Sequence, residues 1–254
     1  KRQVMQLSLV LITCNAATSL ERCLQSAGFA QEVLVVDSGS TDHTVALAKQ
    51  LGARVIYQPW LGFGLQKQFA VQQAKYDWVL CLDADEWVSA ELAQEIQALP
   101  EKPAYWIWKM PRCNQFMGRF LRYGEGYPDW NVRLFHRDHA QWSDDAVHEK
   151  VCFSESAGTL KGDLLHDSGE TISHYLNKQN NYTELQATIL HAQHKDISAV
   201  KMAFSPLVRF LKFYVWRKGF LDGVPGLVHI SIGCMNSLIK YAKLRELQRK
   251  DAKI

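Results

Sequence analysis

The chain has 254 residues, of which 47% are hydrophobic and 22% charged, and its formal net charge is +3. This composition is typical of a globular protein and argues against disorder, and the length suffices for one large domain, alone or with an appendage. The charge is uneven, because residues 201–254 carry 11 Lys or Arg against 3 Asp or Glu, whereas residues 1–200 carry 18 against 23. The basic end predicts an anionic partner for that part of the chain.

Six scattered cysteines contain no Cys-x-x-Cys pair, which favours reduced thiols in a cytosolic protein over a disulfide or zinc framework. Cys14 and Cys81 are expected in buried strands. Residues 7–12 are too short an apolar run for a secretory signal. No run reaches the roughly 18–20 apolar residues of a membrane-spanning helix. We therefore expect a cytoplasmic protein that is either soluble or peripheral on a membrane.

The first hundred residues alternate between buried strands and helices. Strands are predicted at residues 7–12, 33–36, 54–57 and 78–82. Helices are predicted at residues 17–27, from a cap at Ser40 or Thr41 to residue 51, at 65–75 and at 90–99. Alternation with short connections predicts a doubly wound parallel sheet built from right-handed crossovers.

The pattern changes after Pro100. Strands are predicted at residues 105–108, 132–135, 151–153 and 159–165, and the chain reads as helical from about residue 173. We therefore divide it into a catalytic domain, residues 1–172, and a helical, basic C-terminal region, residues 173–254. The catalytic domain would consist of a nucleotide half, residues 1–100, and an acceptor half, residues 101–172.

Three carboxylates, Asp83, Asp85 and Glu86, follow the buried strand at residues 78–82. In an open α/β sheet, ligands bind beyond the carboxyl ends of the strands. Three acids there repel one another unless a cation or a donor-rich ligand lies between them, and oxygen clusters of this kind suit Mg²⁺ or Mn²⁺. The alternative is a solvated acidic turn before a helix.

Asp37 ends the second strand and should open onto the same crevice. A carboxylate there can accept hydrogen bonds from a nucleobase or a ribose. Its alternative role is an Asx-turn, bonded to its own backbone. The sequence contains no Gly-x-Gly-x-x-Gly after the first strand and no P-loop motif, which argues against dinucleotide and P-loop sites.

Several motifs carry a family resemblance. Leu-Ile-Thr-Cys-Asn at residues 11–15, Val-Val-Asp-Ser-Gly-Ser-Thr-Asp at 35–42 and Leu-Asp-Ala-Asp-Glu at 82–86 resemble the ordered motifs of inverting family-2 glycosyltransferases. Residues 142–149 and 218–223 resemble bacterial lipopolysaccharide or lipooligosaccharide core β-1,4-glucosyltransferases. The resemblance covers essentially the whole chain, with one departure: Cys14 stands where the family has an aromatic residue.

The resemblance implies a GT-A fold, which is an α/β, Rossmann-like fold with a mixed central sheet, here with a helical C-terminal extension. It also implies a UDP-sugar donor and a divalent cation. By this resemblance Asp37 would hold the uracil, Asp83 the ribose or the sugar, and Asp85 the metal. The remaining candidates for this site are the nucleotide-sugar ligands Thr13, Asn15, Lys67 and Arg133 and the metal ligand His166. Solvated charges are the alternative for the two basic residues, and a structural histidine is the alternative for His166.

An inverting transfer needs a base on the face opposite the leaving group, to take the proton of the attacking acceptor hydroxyl. Glu149 is the first candidate, because it immediately precedes a predicted strand. The resemblance also places the family's catalytic carboxylate at Val-His-Glu, residues 147–149. Asp145 is the second candidate, although a plain turn is the better interpretation of Asp144 and Asp145.

In the C-terminal region, residues 206–220 mix aromatic and aliphatic side chains with Lys and Arg, as an in-plane helix on an anionic bilayer requires. Packing against the catalytic domain or a second copy is the alternative, and nucleic acid is disfavoured because no open basic groove is indicated.

We therefore predict an enzyme on the cytoplasmic face of the inner membrane. It would move a hexose, glucose from UDP-glucose, onto a heptose of a lipid-anchored inner-core acceptor. The alternatives are another donor, a polyprenyl-phosphate acceptor, or a catalytically silent membrane-bound scaffold.

Overall fold

The computed structural model describes residues 5–145 and 149–251, so Ala146, Val147 and His148 of the predicted motif lie outside the described residues. The chain forms two compact units. The first contains residues up to 113 and residues 129–166, and the second contains residues 114–128 and those from 167 onward. Residues 114–128 were expected in the acceptor half, whereas the structure groups them with the C-terminal helices. The functional division at residue 172 stays a prediction.

The first unit begins with the predicted alternation of strands and helices. The strands are β1 (Leu7–Thr13), β2 (Glu32–Asp37), β3 (Arg54–Tyr57) and β4 (Trp78–Asp83). The helices between and after them are α1 (Ala17–Ser26), α2 (Thr44–Gln50), α3 (Phe63–Gln73) and α4 (Ala90–Ala98). The four strands are parallel and lie in the order β3-β2-β1-β4, which confirms the doubly wound half.

The rest of the sheet is mixed. It contains β5 (Glu86–Val88), β6 (Ile107–Phe116), β8 (Asp129–His136) and β12 (Leu164–His166), which continue the order as β4-β8-β6-β12-β5. Shorter strands are β7 (Arg119–Phe120), β9 (Gln141–Trp142), β10 (Val151–Cys152) and β11 (Gly158–Thr159). β8 is antiparallel to β4, and β12 is antiparallel to β5. The prediction missed β5, β7 and β9, because strands of two or three residues carry no readable periodicity.

The core of the first unit lies on both faces of the parallel strands. Leu9, Leu34 and Leu80 are fully buried, as strands covered on both sides require. All six cysteines lie among the described residues and form no disulfide, but the expectation for Cys14 was wrong. It is exposed, because β1 ends at Thr13 and the chain then leaves the sheet.

The loop after β2 differs from the predicted cap. Neither Ser40 nor Thr41 caps α2, which begins at Thr44. The side chain of Asp42 accepts hydrogen bonds from the backbone N–H and the hydroxyl of Thr44. This leaves Ser40 available to hydrogen-bond elsewhere in the loop.

The second unit is helical, as predicted. It contains α5 (Ile172–Ala192), α6 (Ala199–Phe210) and α7 (Gly223–Asp251), with a π-helical turn at Leu211–Trp216 and a 3-10 turn at Gly219–Asp222 between the last two. A small core forms around Ala187, Ile197 and Leu244. Among the described residues, the structure contains no helix with the length and apolar character needed to cross a bilayer.

The motif at residues 218–223 fastens a hairpin of the second unit to its helices. The buried carboxylate of Asp222 accepts hydrogen bonds from the backbone N–H groups of Arg122 and Tyr123, at 3.2 and 2.9 Å. A Cβ on Gly219 would lie 2.3 Å from Ile230, so no larger residue fits there without movement. The glycine and the aspartate of this motif therefore have a structural role.

Candidate active site

The register of the parallel strands brings the predicted site residues to one edge of the sheet. Thr13 lies opposite Asp37 on the neighbouring strand, and Ile12 lies opposite Asp83. Because β1 is flanked by β2 on one side and β4 on the other, the three strand ends open onto the same edge. This is where an open α/β sheet binds its ligands.

Asp37 is buried and organises the loop that follows β2. Its carboxylate accepts hydrogen bonds from the backbone N–H groups of Gly39 and Ser40, at 2.9 and 2.8 Å, and from the hydroxyls of Ser40 and Thr13. Burial opposes ionisation of Asp37, but these hydrogen bonds outweigh it and hold its pKa below the ordinary value. The Asx-turn that the sequence left open is therefore present.

Asn15 holds the same loop from the other side. Its backbone φ is +53°, and its side-chain oxygen accepts a hydrogen bond of 2.8 Å from the backbone N–H of Thr41. Its own backbone N–H donates to the hydroxyl of Ser40, at 2.8 Å. Thr13, Asn15 and Asp37 together build one rigid polar loop at the strand ends.

Lys67 joins two of the predicted site residues. Its ammonium lies 2.8 Å from Oδ1 of Asp83 and 2.9 Å from Oε1 of Glu149. The side chain is 7% exposed, which excludes the alternative of a solvated helix charge. Because one nitrogen contacts both carboxylates, the candidate base is held directly beside the acidic strand end.

Arg133 occupies the other side of Asp83. Its Nη2 lies 2.8 Å from Oδ2 of Asp83 and 2.7 Å from Oε1 of Glu86, and the guanidinium is buried. Burial by itself would raise the pKa of Asp83, but Arg133 and Lys67 overcome it and hold that pKa well below its usual range. Asp83 is therefore ionised at neutral pH.

These contacts correct the argument that the three acids must share an external cation. Glu86 is fully buried, accepts a hydrogen bond from the backbone N–H of Asp83, and is paired with Arg133 and Arg112. Protein cations thus neutralise two of the three carboxylates. Of the acidic cluster, Asp85 remains as the candidate metal ligand.

Trp142 forms a wall beside both cations. The Lys67 nitrogen lies 4.7 Å from the centroid of its ring, and the Arg133 guanidinium carbon lies 5.6 Å from it. The three side chains, together with Asp83, line a small cleft with about 210 Å³ of empty space that extends to the solvent. Both cations lie within the roughly 6 Å at which the face of an aromatic ring attracts a positive charge.

Asp85 and His166 meet through the pairing of two short strands. β12 ends at His166, opposite Glu86 at the start of β5, and Asp85 immediately precedes β5. As a result, Nε2 of His166 lies 3.3 Å from Oδ2 of Asp85. The sequence predicted both as metal ligands but gave no reason for them to be neighbours.

A divalent cation fits this pair only with help from a substrate. Within residues 5–145 and 149–251, no group of three or more His, Cys, Asp or Glu side chains is placed to hold a metal. Mg²⁺ and Mn²⁺ are commonly held by one or two protein ligands, with substrate phosphates and waters supplying the rest. One carboxylate and one imidazole therefore match a metal that arrives with a diphosphate.

Asp145 lies at the exposed end of the described segment before residue 146. The preceding chain is packed tightly, because a Cβ on Gly64 of α3 would lie 1.9 Å from the carbonyl oxygen of Ser143. The structure records no ion pair for Asp145 among the described residues, in contrast to Glu149. Its role as second candidate base stays a prediction.

Sequence analysis missed three residues of the site: Glu86 as a buried partner, Arg112 and Trp142. Arg112 lies 3.4 Å from Glu86 and 2.9 Å from Asp129. The available signal was Glu86 itself, since a buried carboxylate next to a strand end requires a cationic partner. Which cation it would be depends on strand pairings that the sequence pattern did not specify.

Comparison with known proteins agrees with this geometry. Residues 8–154 match the model of the family described as Glycosyl transferase family 2. An uncharacterized glycosyltransferase of Rickettsia typhi is 33% identical over 262 residues, covering 98% of this chain and 90% of that protein. The lipopolysaccharide core biosynthesis glycosyltransferase LpsC of Rhizobium meliloti is 30% identical over 240 residues, covering 88% of each.

Among solved structures, S. aureus TarS in complex with UDP-GlcNAc is similar with a TM-score of 0.49 and 15% identity, covering 91% of this chain and 79% of that chain. The match to the family spans more than half of the chain, and the relatives extend it across both units. The predicted GT-A fold class and family resemblance are confirmed. The chain belongs to glycosyl transferase family 2, and it is a glycosyltransferase.

Proposed function

We propose that this protein is an inverting glycosyltransferase that moves a hexose from a UDP-sugar onto a heptose of the lipopolysaccharide or lipooligosaccharide inner core. The hexose is glucose, and its donor is UDP-glucose. The observation that carries the proposal is the position of Glu149. Lys67 bonds it and Asp83 at once, so the candidate base lies at the strand edge where a nucleotide sugar would bind.

Glu149 has the chemistry of the base. Its side chain is 20% exposed, so it can meet an acceptor hydroxyl while Lys67 holds one of its oxygens. The other oxygen takes the hydroxyl proton as the acceptor attacks the anomeric carbon, and attack from the face opposite the leaving diphosphate inverts that carbon.

The donor would lie along the strand ends. The loop formed by Thr13, Asn15 and Asp37 would receive the uracil and the ribose. Asp83 and Arg133 would face the sugar and the phosphates. The buried guanidinium of Arg133 is well suited to a phosphate oxygen, although Asp83 and Glu86 already hold its Nη2.

Asp85 and His166 would hold Mg²⁺ or Mn²⁺. When bound, such a cation stabilises the charge that develops on a departing diphosphate. The support for this proposal is their 3.3 Å approach beside the strand end.

The acceptor assignment is supported by LpsC, whose name places that relative in lipopolysaccharide core biosynthesis. A core acceptor is lipid-anchored and is built at the cytoplasmic face of the inner membrane. The excess of basic residues in the C-terminal region supports a peripheral location on that anionic surface.

Binding and transfer should be tested separately. Calorimetric titration of UDP-glucose and UDP-galactose, with and without Mn²⁺, is expected to give metal-dependent binding of UDP-glucose that is lost in Asp85→Ala. Transfer to a heptose-terminated core oligosaccharide should fall about 10²–10⁴-fold in Glu149→Gln with donor binding retained. The matched variant Asp145→Asn should keep the transfer rate.

Three results would contradict the proposal. If UDP-glucose binds equally well without Mn²⁺ and to Asp85→Ala, the proposed metal site is wrong. If Glu149→Gln transfers at the wild-type rate, the assignment of Glu149 as the base is wrong. Donor hydrolysis without any transfer to a heptose acceptor would point to another acceptor class.

A further inference from the structure

The second unit presents a long apolar face that no described part of the chain covers. It consists of outward-facing side chains of α6 and the turn after it: Val200, Phe204, Leu207, Val208, Leu211 and Trp216. These side chains are between 51% and 86% exposed, with Trp216 at the upper limit. We refer to them as the α6 face.

The spacing of the α6 face is that of one side of a helix. Its first five members occupy positions 200, 204, 207, 208 and 211, which fall within one apolar stripe at 3.6 residues per turn. Such a stripe usually faces a protein core, but here it faces outward. Val215 and Trp216 extend it through the π-helical turn.

Lysines flank this stripe. Lys201, Lys212 and Lys218 are exposed on the same segment. Residues 199–227 contain one acidic residue, Asp222, and it is 2% exposed and bonded to backbone N–H groups. The solvent-facing charge of this segment is therefore entirely positive.

The neighbouring helix, α7, exposes fewer large apolar side chains: Val224, Leu227, Met235 and Leu238 are between 38% and 65% exposed. α7 is the longer and more basic helix, but Ile230, Ile232, Cys234 and Leu244 are buried along it. The α6 face is therefore the larger and the more exposed of the two, since each of its six members is more than 50% exposed. Residues 173–254 were predicted as the membrane-associating region, with the in-plane helix at residues 206–220. The exposed apolar surface is instead centred on α6 and begins at Val200.

We infer that the α6 face lies in the plane of an anionic lipid bilayer, with Trp216 at its deepest point or at the headgroup level and the flanking lysines on the acidic headgroups. This inference deepens the proposed membrane location and rests on it. An apolar stripe bordered by Lys and carrying an exposed Trp is the pattern of an interfacial helix. Charge complementarity favours a bilayer over a second copy, since two copies would bring like-charged lysines together.

Vesicle flotation of the full chain tests the inference. The wild type should float with vesicles of phosphatidylethanolamine and phosphatidylglycerol, but not with vesicles of phosphatidylcholine alone, and salt should weaken the binding. Phe204→Ser and Trp216→Ser should each lower partitioning about tenfold, because each removes a large apolar side chain that would otherwise be buried in the bilayer. Lys212→Gln should lower it about fivefold.

The matched control is Leu185→Ser. Leu185 is 49% exposed on α5 in the same unit but lies outside the α6 face. It should bind vesicles as the wild type does. An equal loss in this variant would overturn the assignment to α6, and so would unchanged flotation of Phe204→Ser and Trp216→Ser.

Two further measurements separate the possible occupants. Brominated lipids should quench the wild-type tryptophan fluorescence, and Trp216→Phe should lose most of that quenching. Sedimentation velocity without lipid should give the same species for the wild type and Trp216→Ser. A dimer that becomes a monomer in the variant, with vesicle binding intact, would assign the face to a second copy and overturn the inference.

The variants also separate this inference from the proposed function. Each should retain calorimetric binding of UDP-glucose and transfer to a soluble core oligosaccharide. If the wild type fails to float while donor binding and transfer persist, the membrane face is wrong and the enzyme assignment stands. If the wild type binds vesicles but does not bind UDP-sugars, the enzyme assignment is wrong and the membrane face stands.

Discussion

Lys67→Met would remove a cation that contacts both Asp83 and Glu149. The methionine fills much of the same volume, so the change is mainly one of charge. Asp83 keeps Arg133 as a partner, at 2.8 Å. The structure records no other ion pair for Glu149 among the described residues, so that carboxylate loses its position.

The size of the effect follows from the geometry. At an effective dielectric constant of about 20, each contact of this length is worth roughly 6 kcal/mol before desolvation is subtracted. Breaking a buried pair costs about 3–5 kcal/mol, and the lower end applies here because the two carboxylates are 30% and 20% exposed. We expect a loss of about 3 kcal/mol in the free energy of unfolding of the first unit.

The same substitution should slow transfer. A catalytic group displaced by about 1 Å can cost about 100-fold in rate, and we expect that loss in kcat. The assays are urea unfolding followed by tryptophan fluorescence and transfer kinetics. Lys250→Met is the matched control, because Lys250 and its partner Glu246 are each 67% exposed and the loss of this surface pair should cost about 0–1 kcal/mol.

A double-mutant cycle with Glu149→Gln decides whether the two residues act together. Coupling predicts that Lys67→Met costs much less in the Glu149→Gln background than in the wild type. If the two losses simply add, or if Lys67→Met unfolds like Lys250→Met and keeps the wild-type kcat, the bridging role of Lys67 is refuted.

Three further predictions concern stability. The pKa of Asp83 is held below its ordinary value, so its stabilisation is fully present above pH about 3.9 and is lost as the pH falls toward the folded-state pKa. Urea unfolding between pH 7 and pH 3 should therefore show a shallower acid loss in Asp83→Asn. Gly64→Ala forces a Cβ into the carbonyl of Ser143 and should lower the free energy of unfolding by about 1–3 kcal/mol. Its control is Gly28→Ala, whose Cβ would meet nothing closer than 3.4 Å and which should be nearly neutral in thermal unfolding. Asp222→Ala leaves two backbone N–H groups without their acceptor and should lower local stability by about 3 kcal/mol. The hairpin at residues 119–123 should then show faster hydrogen exchange, and unchanged exchange would contradict the prediction.

Long, strongly patterned elements could be predicted from the sequence. The bounds of β1, β2 and β4 were predicted to within one residue, because buried parallel strands appear as continuous apolar runs between turn residues. The bounds of β3, a half-exposed edge strand, were predicted residue for residue. Short elements such as β5 and β9 could not be predicted. They exist because a neighbouring strand supplies their hydrogen bonds, and two or three residues contain no period of their own.

The candidate site shows the same difference between what a local sequence pattern predicts and what tertiary contacts decide. The sequence by itself determined where the carboxylates lie, because Asp37, Asp83 and Asp85 come at or just after the ends of buried strands, which is the ligand edge of an open α/β sheet. The tertiary structure decided the partners. Lys67 and Glu149 are 82 residues apart in sequence and Arg133 and Glu86 are 47 apart, and no local pattern specifies which opposite charges meet at such separations. Only the packing of α3 and β8 against β4 brings them together, since a buried charge is tolerated where the fold supplies its counter-charge.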